Sequence, residues 1–483
     1  VWNILHGNEV PGINIADVAT VREAAATYGV NAVELDMLYH TDTFYVAHND
    51  YGCDPTPPTS NCRELIPLLN ETESNPNITM LWIDPKDQHT WGSKTLTDLA
   101  RIIRAHIHTK EVWWGLGAGR TLEVGDLEEL AASGMGANEG VAYDYGSCCA
   151  KWNTLPDLYL RARKAGVTNI AYSNKPGFGY NSCTELNKAF AYREQGKISR
   201  VLTWTINDKT SLKHMYQSQD TRYTGSCGQN GDETQLVSHL EGIISNMGSG
   251  VSNQNDVINE DSSLRLATGS DVFWFNRTDP DDNVIVNDGA EMEPLPGNVA
   301  SSWGWAGSSK ALSLSAAECS VPAHRGSRYF GIGPILSGGG CGTATEVFQD
   351  ITIGGAYKDE IIASKVTIKF GARFRSSSAI SAPTATLGLR FLDNNLNDID
   401  TPTQTVAVPK NDTAWILVEG SVLAPINARV ARIVLKGSSC ASATAQSACA
   451  ELVDSVSLEV HLPPPPTPAP TPVPPTPAPP PPP

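Results

Sequence analysis

Two short apolar stretches, AVELDML at 32–38 and TMLWID at 79–84, carry acidic residues at or near their ends. Apolar runs of this length between helix-like stretches predict buried strands. Seven further strand candidates accompany them, at 1–5, 43–48, 111–115, 140–144, 168–173, 200–205 and 241–245. Because strands and helices alternate, and about eight such units fit in ~250 residues, the sequence predicts an α/β fold with a (β/α)8 TIM barrel.

The pattern changes after the predicted barrel, whose boundaries we place at 1–250. Residues 251–284 are interpreted as a polar linker and a tail motif. Alternating apolar and polar residues between Gly, Ser and Asn turns predict an antiparallel, jelly-roll-like β-sandwich over 285–462. The last segment, 463–483, holds 15 prolines and is expected to form a polyproline II tail without a core.

The composition excludes several classes of protein. The chain has 483 residues with 35 basic and 52 acidic side chains. The resulting net charge of −17 argues against a nucleic-acid partner and against electrostatic docking on anionic membranes. A hydrophobic content of 40% is enough to build large cores, which excludes global disorder. No apolar run approaches the ~18–20 residues of a membrane helix, so we expect no transmembrane segment.

Cysteine use and sequons predict a secreted, extracellular glycoprotein. The chain starts with Val1 rather than Met, as expected of a mature protein whose signal peptide has been removed. Ten cysteines without a CxxC pair or zinc spacing favour disulfides over free thiols in a cytosolic protein. Three pairings are plausible and the partners of four cysteines stay open: Cys53–Cys62, Cys319–Cys341 and Cys440–Cys449, then Cys148, Cys149, Cys183 and Cys227. Sequons predict N-glycosylation at Asn70, Asn77, Asn276 and Asn411.

Polar side chains stand at the carboxyl ends of the predicted strands, the face where a TIM barrel carries its active site. They are His6, Glu34, Asp36, His48, Asp84 and Trp204. Glu34 and Asp36 are two residues apart on one strand, so both side chains point the same way. Any one such residue is more often structural than catalytic, but all six fall at predicted strand ends.

Together these residues favour metal-assisted phosphoryl chemistry. The three carboxylates of the set form an oxygen cage suited to Mg²⁺, with Ca²⁺ as the alternative. The two histidines are candidates for general acid and general base. Lys86 follows Asp84 by two residues and is suited to hold a phosphate. A divalent ion, a lysine and two histidines suit phosphoryl transfer.

These stretches resemble the glycerophosphodiester phosphodiesterase-like barrels, and most closely the sphingomyelinase D/phospholipase D group of spider venoms. The similarity spans residues 1–275. The stretches that carry it occur in the same order: Trp2…His6-Gly-Asn, Asn31-Ala-Val-Glu-Leu-Asp, Tyr45-Val-Ala-His, Leu81-Trp-Ile-Asp-Pro-Lys, Val201-Leu-Thr-Trp and Leu264-Arg-Leu-Ala-Thr-Gly-Ser-Asp. Asn207 departs from the pattern, because that group carries Asp near this position.

The resemblance implies a metal-dependent enzyme that expels the alcohol headgroup of sphingomyelin or lysophosphatidylcholine. Water attacks the phosphorus, or a substrate hydroxyl attacks in its place and gives a cyclic phosphate. The implied roles are Mg²⁺ binding by Glu34, Asp36 and Asp84, acid/base or nucleophilic catalysis by His6 and His48, and contact with the phosphate and headgroup by Lys86 and Trp204. A phospholipid headgroup is thus the expected substrate contact.

The remaining segments support a second hypothesis. The sandwich resembles carbohydrate-binding jelly-roll modules, in which Trp303 and Trp305 either stack on a glycan ligand or belong to the core. The tail resembles hydroxyproline-rich segments of plant and green-algal extracellular glycoproteins. The alternative function is a structural subunit of an extracellular filament or cell-wall assembly. The barrel is then a scaffold, and the tail joins copies into a homo-oligomer or filament.

Overall fold

The structure is a computed structural model that describes residues 1–6, 18–40, 42–47, 63–86, 91, 93–116, 125–145, 154–174, 189, 192–193, 195–217, 223–224, 234–235, 240–246, 249–268, 285, 304–306, 312–315, 320, 322–324, 328–332, 345–376, 385–399, 404–407, 414–437 and 451–463. Several sequence-based predictions lie outside these residues: the disulfides of Cys53, Cys62, Cys319, Cys341, Cys440 and Cys449, the roles of His48 and Trp303, the sequons at Asn276 and Asn411, and the tail from 464 onward.

A closed parallel barrel forms the first part of the chain. Its region contains β1 Trp2–His6, β2 Ala32–His40, β3 Thr43–Val46, β4 Arg63–Glu64, β5 Met80–Pro85, β6 Glu111–Leu116, β7 Glu139–Tyr145, β8 Ile170–Asn174, β9 Arg200–Trp204, β10 Tyr223–Thr224, β11 Thr234–Gln235 and β12 Gly242–Asn246. Eight parallel strands run in the order β1-β2-β5-β6-β7-β8-β9-β12, and β12 pairs again with β1. The predicted TIM barrel is confirmed.

The described helices are α1 Val18–Thr27, α2 Leu65–Ser74, α3 Leu96–His106, α4 Asp126–Ala132, α5 Thr154–Lys164, α6 Lys209–Gln217, α7 Ser249–Glu260 and α8 Lys358–Ile362. Helix α3 begins with a capping box between Thr95 and Asp98. It buries Leu96, Leu99 and Ile103, whose spacing puts them on one face. Within the described part of the chain, no helix is long and apolar enough to span a membrane.

Successive side chains of β2 point alternately to the outer helices and to the barrel interior. Val33 and Leu35 join the large core formed with the outer helices. Ala32 belongs instead to a separate interior cluster with the tryptophans of neighbouring strands. Because side chains alternate along a strand, Glu34 and Asp36 face the barrel interior as Ala32 does. The pattern therefore places carboxylates inside a protein core, which is costly unless they are paired.

Residues 249–260 correct the linker interpretation, because they form helix α7. Its polar composition hides a buried face that includes Val251, Gln254 and Val257. The Gln254 amide donates to Oδ1 of Asn3 at 2.6 Å and to the Ile243 carbonyl at 3.0 Å, which seats α7 against β1 and β12. The helix thus packs against the barrel where β12 and β1 close it.

Two antiparallel five-stranded sheets form the second part of the chain, as the sequence predicts for a sandwich. The strands are β13 Gly304–Ala306, β14 Leu312–Ser315, β15 Arg328–Gly331, β16 Thr345–Thr352, β17 Thr367–Ser376, β18 Thr386–Leu392, β19 Gln404–Ala407, β20 Ile416–Leu423, β21 Val430–Gly437 and β22 Glu451–His461. The sheet orders are β13-β16-β21-β18-β19 and β14-β15-β22-β17-β20. Trp305 lies opposite Val347 in the first sheet.

Two of the predicted glycosylation sites fall within the described residues. Asn70 is exposed in the middle of α2, and Asn77 is exposed in the turn before β5. Exposure makes both amides accessible, and their modification stays a prediction.

The barrel and the sandwich contact each other through α5 and the segment between β16 and α8. Lys164 donates to the Ala356 carbonyl at 3.0 Å and pairs with Glu360 at 2.6 Å. The Asp157 carboxylate faces the same segment, and the backbone of Ala356 acts to lower its pKa. Gly355 allows this approach, since a Cβ there would lie 2.2 Å from an oxygen of Asp157.

This contact predicts a pH-dependent stability. Burial raises the pKa of Asp157 from 3.8 to about 6, against the opposing effect of Arg161. Because the folded state holds the proton more tightly, the free energy of unfolding should fall as pH rises from about 4 to about 6, by up to roughly 3 kcal/mol. Urea unfolding across this range should show a flatter profile for Asp157→Asn. The control variant Asp256→Asn, at an exposed carboxylate, should keep the wild-type dependence of unfolding free energy on pH. If Asp157→Asn showed the same dependence as the wild type, the raised pKa of Asp157 would be contradicted.

Candidate active site

The carboxyl ends of β1, β2 and β5 bring acidic and imidazole side chains to one rim of the barrel. Asp36 and Asp84 are paired in the parallel register of β2 and β5. His6 ends β1, and Glu34 lies one inward-facing position below Asp36. These four side chains are nearly buried, with residue exposures between 2% for Asp84 and 7% for His6. Their charges therefore interact strongly.

His6 is held between the acidic cluster and an amide. Its Nε2 lies 3.5 Å from Oδ2 of Asp36 and 4.0 Å from Oε2 of Glu34. Its Nδ1 lies 3.1 Å from Oδ1 of Asn246, at the end of β12. Because an amide oxygen only accepts, Nδ1 donates this hydrogen bond and the ring orientation is fixed. Burial opposes the charge, but Glu34 and Asp36 raise the pKa of His6 to about 10.

Lys86 places its ammonium group between two carboxylates. Its Nζ lies 3.0 Å from Oδ1 of Asp36 and donates a hydrogen bond to Oδ2 of Asp84. Burial works to lower the pKa of Lys86, but the two aspartates raise it well above its usual value. The Trp91 indole donates to the Lys86 carbonyl at 3.0 Å and fixes the segment after β5. The predicted phosphate-binding lysine is therefore part of the acidic cluster.

Burial also changes the acidity of the carboxylates. It raises the pKa of Glu34 to about 8, with His6 opposing the shift and Asp36 adding to it. Burial likewise raises the pKa of Asp84, against the effect of Lys86. Three clustered carboxyl groups thus face two cationic side chains. An additional positive charge among them would favour their ionised forms.

The cluster fits a divalent cation. One ligand atom each from His6, Glu34 and Asp36 lies within 4.8 Å of the others. Oε2 of Glu34 is buried and has no hydrogen-bond partner among the described residues. Carboxylate oxygens are the ligands that Mg²⁺ prefers. The compact set differs from the predicted one, because it includes His6, whereas Asp84 has an oxygen bound to Lys86.

Three other positions complete the rim. Trp204 ends β9, half-buried, and packs against the interior cluster. The N–H of Asn246 donates to Oδ1 of Asn207 at 3.0 Å, so Asn207 supports the residue that orients His6. The N–H of Ala47 donates to the Asp36 carbonyl at 2.9 Å. Ala47, which precedes His48 in the sequence, therefore lies at the rim.

The sequence reasoning missed Asn246. What marks Asn246 as a site residue is its position, because it pairs with His6 in the register of β1 and β12. That pairing exists only when the barrel closes, and the strand GIISN on its own shows one ordinary terminal asparagine. A search for polar residues at the end of every barrel strand, including the last, would have found it.

No curated protein matches the chain. The enzymatically active domain of tailspike protein 4 of bacteriophage CBA120 is 12% identical, with 79% of this chain and 42% of that chain covered and a TM-score of 0.27. The chain thus spans less than half of that protein.

Two further solved structures match one part of the chain each. A candidate glycerophosphodiester phosphodiesterase from Galdieria sulphuraria is 14% identical over 53% of this chain and 98% of that chain, with a TM-score of 0.34. A xylan-binding domain from Paenibacillus barcinonensis is 10% identical over 34% of this chain and 88% of that chain, with a TM-score of 0.21. Residues 14–220, a span of the barrel that includes α1 to α6, match the family model of sphingomyelinase D/phospholipase D.

Proposed function

We propose that the barrel is a Mg²⁺-dependent phosphodiesterase that cleaves the headgroup from sphingo- or lysophospholipids. The observation that carries this proposal is the buried rim cluster, in which His6 lies within 4.0 Å of the carboxylates of Glu34 and Asp36. The family match over residues 14–220 supports the reaction class. Burial of several ionisable groups at the carboxyl end of a barrel is typical of catalytic sites.

The carboxylates and the histidines of the cluster are proposed to have different roles in the reaction. Glu34 and Asp36 are the proposed primary metal ligands, with Asp84 as the third. The bound ion would neutralise charge on the phosphodiester oxygens. His6 and His48 are the proposed pair that takes the proton from the attacking hydroxyl and gives one to the leaving headgroup oxygen. Asn246 fixes the His6 ring during this transfer, through the 3.1 Å contact to Nδ1.

Lys86 and Trp204 are proposed to contact the substrate. Lys86 is 19% exposed at its side chain, and its ammonium group holds Asp36 and Asp84 at the rim. A phosphate oxygen that approached the rim would therefore meet a cation already fixed in place. Trp204 offers an aromatic face, which suits a cationic headgroup such as choline.

Turnover of defined lipids tests the proposal. Purified full-length chain should release choline from lysophosphatidylcholine or sphingomyelin in the presence of Mg²⁺. Chelation with EDTA should abolish release, and added Mg²⁺ should restore it, since the ion would neutralise charge on the phosphodiester oxygens. Turnover that persists at full rate in EDTA would contradict the metal role. No release from either lipid would contradict the proposed substrate class.

A further inference from the structure

Side chains in the barrel interior form layers contributed by alternate strands. The strands of an eight-stranded barrel are tilted against its axis. A residue therefore lies at the same height as the residue one position beyond its paired partner on the next strand. When this step is repeated around all eight strands, it leads back to the residue from which it started. It places four residues in one layer: Glu34 on β2, Gly115 on β6, Ser173 on β8 and Ile244 on β12. Glu34 and Ser173 lie on opposite strands of the barrel.

A third polar atom reaches this layer from below. Trp82 belongs to the next layer down, but its Nε1 lies 2.8 Å from the position that a Cβ on Gly115 would occupy. The absence of a side chain at Gly115 thus gives space to the indole N–H. Glu34 and Ser173 therefore belong to one layer of the barrel interior, which the indole N–H of Trp82 reaches, directly beneath the layer of His6 and Asp84.

These three polar atoms are buried and lack partners. Oε2 of Glu34, Nε1 of Trp82 and Oγ of Ser173 make no hydrogen bond within the described residues. Glu34 is 6% exposed, and Trp82 and Ser173 are 0% exposed. Buried polar groups are nearly always satisfied by protein or by ordered water. Three unsatisfied atoms in one layer therefore indicate a common partner.

We propose that an ordered water lies on the barrel axis in this layer, bound by Trp82 and Ser173, and that it positions the Glu34 carboxylate as a metal ligand. The donor and acceptor types match. The indole donates to the water, the water donates to Oε2 of Glu34, and the hydroxyl either accepts from or donates to it. A buried water needs two to four polar partners, and this layer supplies three.

The inference rests on the proposed function only for the role of the metal. Groups that hold a metal ligand from behind fix its orientation and its basicity. Trp82 and Ser173 are thus positioning residues, which act on the metal through Glu34 and touch no reacting atom. Their neutral donors suit this task, because they stabilise a carboxylate without competing for the cation.

Metal affinity tests the positioning role apart from catalysis. Trp82→Phe and Ser173→Ala should each weaken Mg²⁺ binding by about tenfold in calorimetry. The same variants should broaden the electron paramagnetic resonance spectrum of bound Mn²⁺, because Glu34 is then less well fixed. The double variant should lose less than the product of the single losses, since both side chains act through one water.

Two matched controls separate positioning from general packing. Trp114→Phe removes a buried indole whose Nε1 donates to Glu139 at 3.1 Å on the outer side of the barrel. Ser199→Ala removes a buried hydroxyl that also lacks a partner among the described residues but precedes the inward-facing Arg200. Both controls should bind Mg²⁺ as the wild type does. Equal weakening in the controls, or unchanged affinity in the test variants, would overturn the positioning role.

A high-resolution crystal structure distinguishes failure of this inference from failure of the proposed function. Wild-type crystals should show one water within hydrogen-bond distance of Trp82, Ser173 and Glu34, with or without metal. The Ser173→Ala crystals should show a displaced Glu34 carboxylate. A direct Trp82–Glu34 hydrogen bond without the water would refute the inference. If the wild type bound no metal but held the water, the metal site would fail and the water site would stand.

Discussion

Replacing His6 by Asn should lower kcat for headgroup release by about 10²–10⁴-fold, the range expected when a general acid or base is removed. The imidazole is 7% exposed and is fixed by Asn246 at one nitrogen and by Asp36 near the other. Asparagine is polar and smaller, so the rim keeps a polar side chain at this position but loses the imidazole that is proposed to move the proton. Steady-state kinetics on lysophosphatidylcholine measure the effect.

His40, on the neighbouring strand β2, provides the control for the His6 substitution. His40 ends β2 and is exposed, so His40→Asn should keep wild-type kcat. The His6→Asn variant must also unfold at the wild-type midpoint for the loss to be chemical. If it does not fold, His6→Gln is the second variant for the same assay. A folded His6 variant with wild-type kcat would remove His6 from the proposed mechanism.

An Arg200→Met variant should lose about 3–5 kcal/mol of unfolding free energy, because it leaves a buried carboxylate without its partner. Arg200 and Glu111 are each 1% exposed at the side chain, and Nη2 of Arg200 lies 3.0 Å from Oε1 of Glu111. The guanidinium also lies 4.5 Å from the ring centroid of Trp2. Removal of the cation therefore costs both an ion pair and a cation–π contact inside the barrel.

Urea unfolding of three variants tests this assignment. Arg200→Met should be the least stable, and the double variant Arg200→Met/Glu111→Leu should recover part of the loss because no charge stays unpaired. Lys213→Met removes a surface ion pair with Glu260 and should leave the midpoint unchanged. Equal stability of the wild type and Arg200→Met would show that the ion pair does not stabilise the barrel.

The sequence predicted the barrel because its signal is local and repeated. In AVELDML, the outer positions are apolar and the inner positions turn acidic toward the carboxyl end, which indicates both a strand and a rim site. The α7 segment reads as a linker from its polar composition, but its buried face includes Gln254, whose amide donates to Asn3 and to the Ile243 carbonyl and accepts from the Tyr216 hydroxyl. No composition rule shows that a glutamine will be buried against a strand more than 200 residues earlier in the chain.

The sequence predicted the site residues that lie at strand ends, but not the contacts that those residues make with other strands of the barrel. Glu34, Asp36 and Asp84 follow from strand spacing, and the structure places all three near His6. The pairing of Lys86 with both aspartates depends on the register of β2 and β5. Asn246 depends on barrel closure, which a single strand does not encode. The rest of the site was thus inaccessible because it is made by tertiary pairing.

The central claim is that this rim holds a divalent ion, and anomalous diffraction from crystals soaked in Mn²⁺ tests it most directly. We expect one strong anomalous peak bounded by Glu34 and Asp36, adjacent to Asp84 and His6. An Asp36→Asn crystal under the same conditions should lose the peak. Wild-type crystals with no peak at the rim, at a Mn²⁺ concentration that supports turnover in solution, would contradict the account.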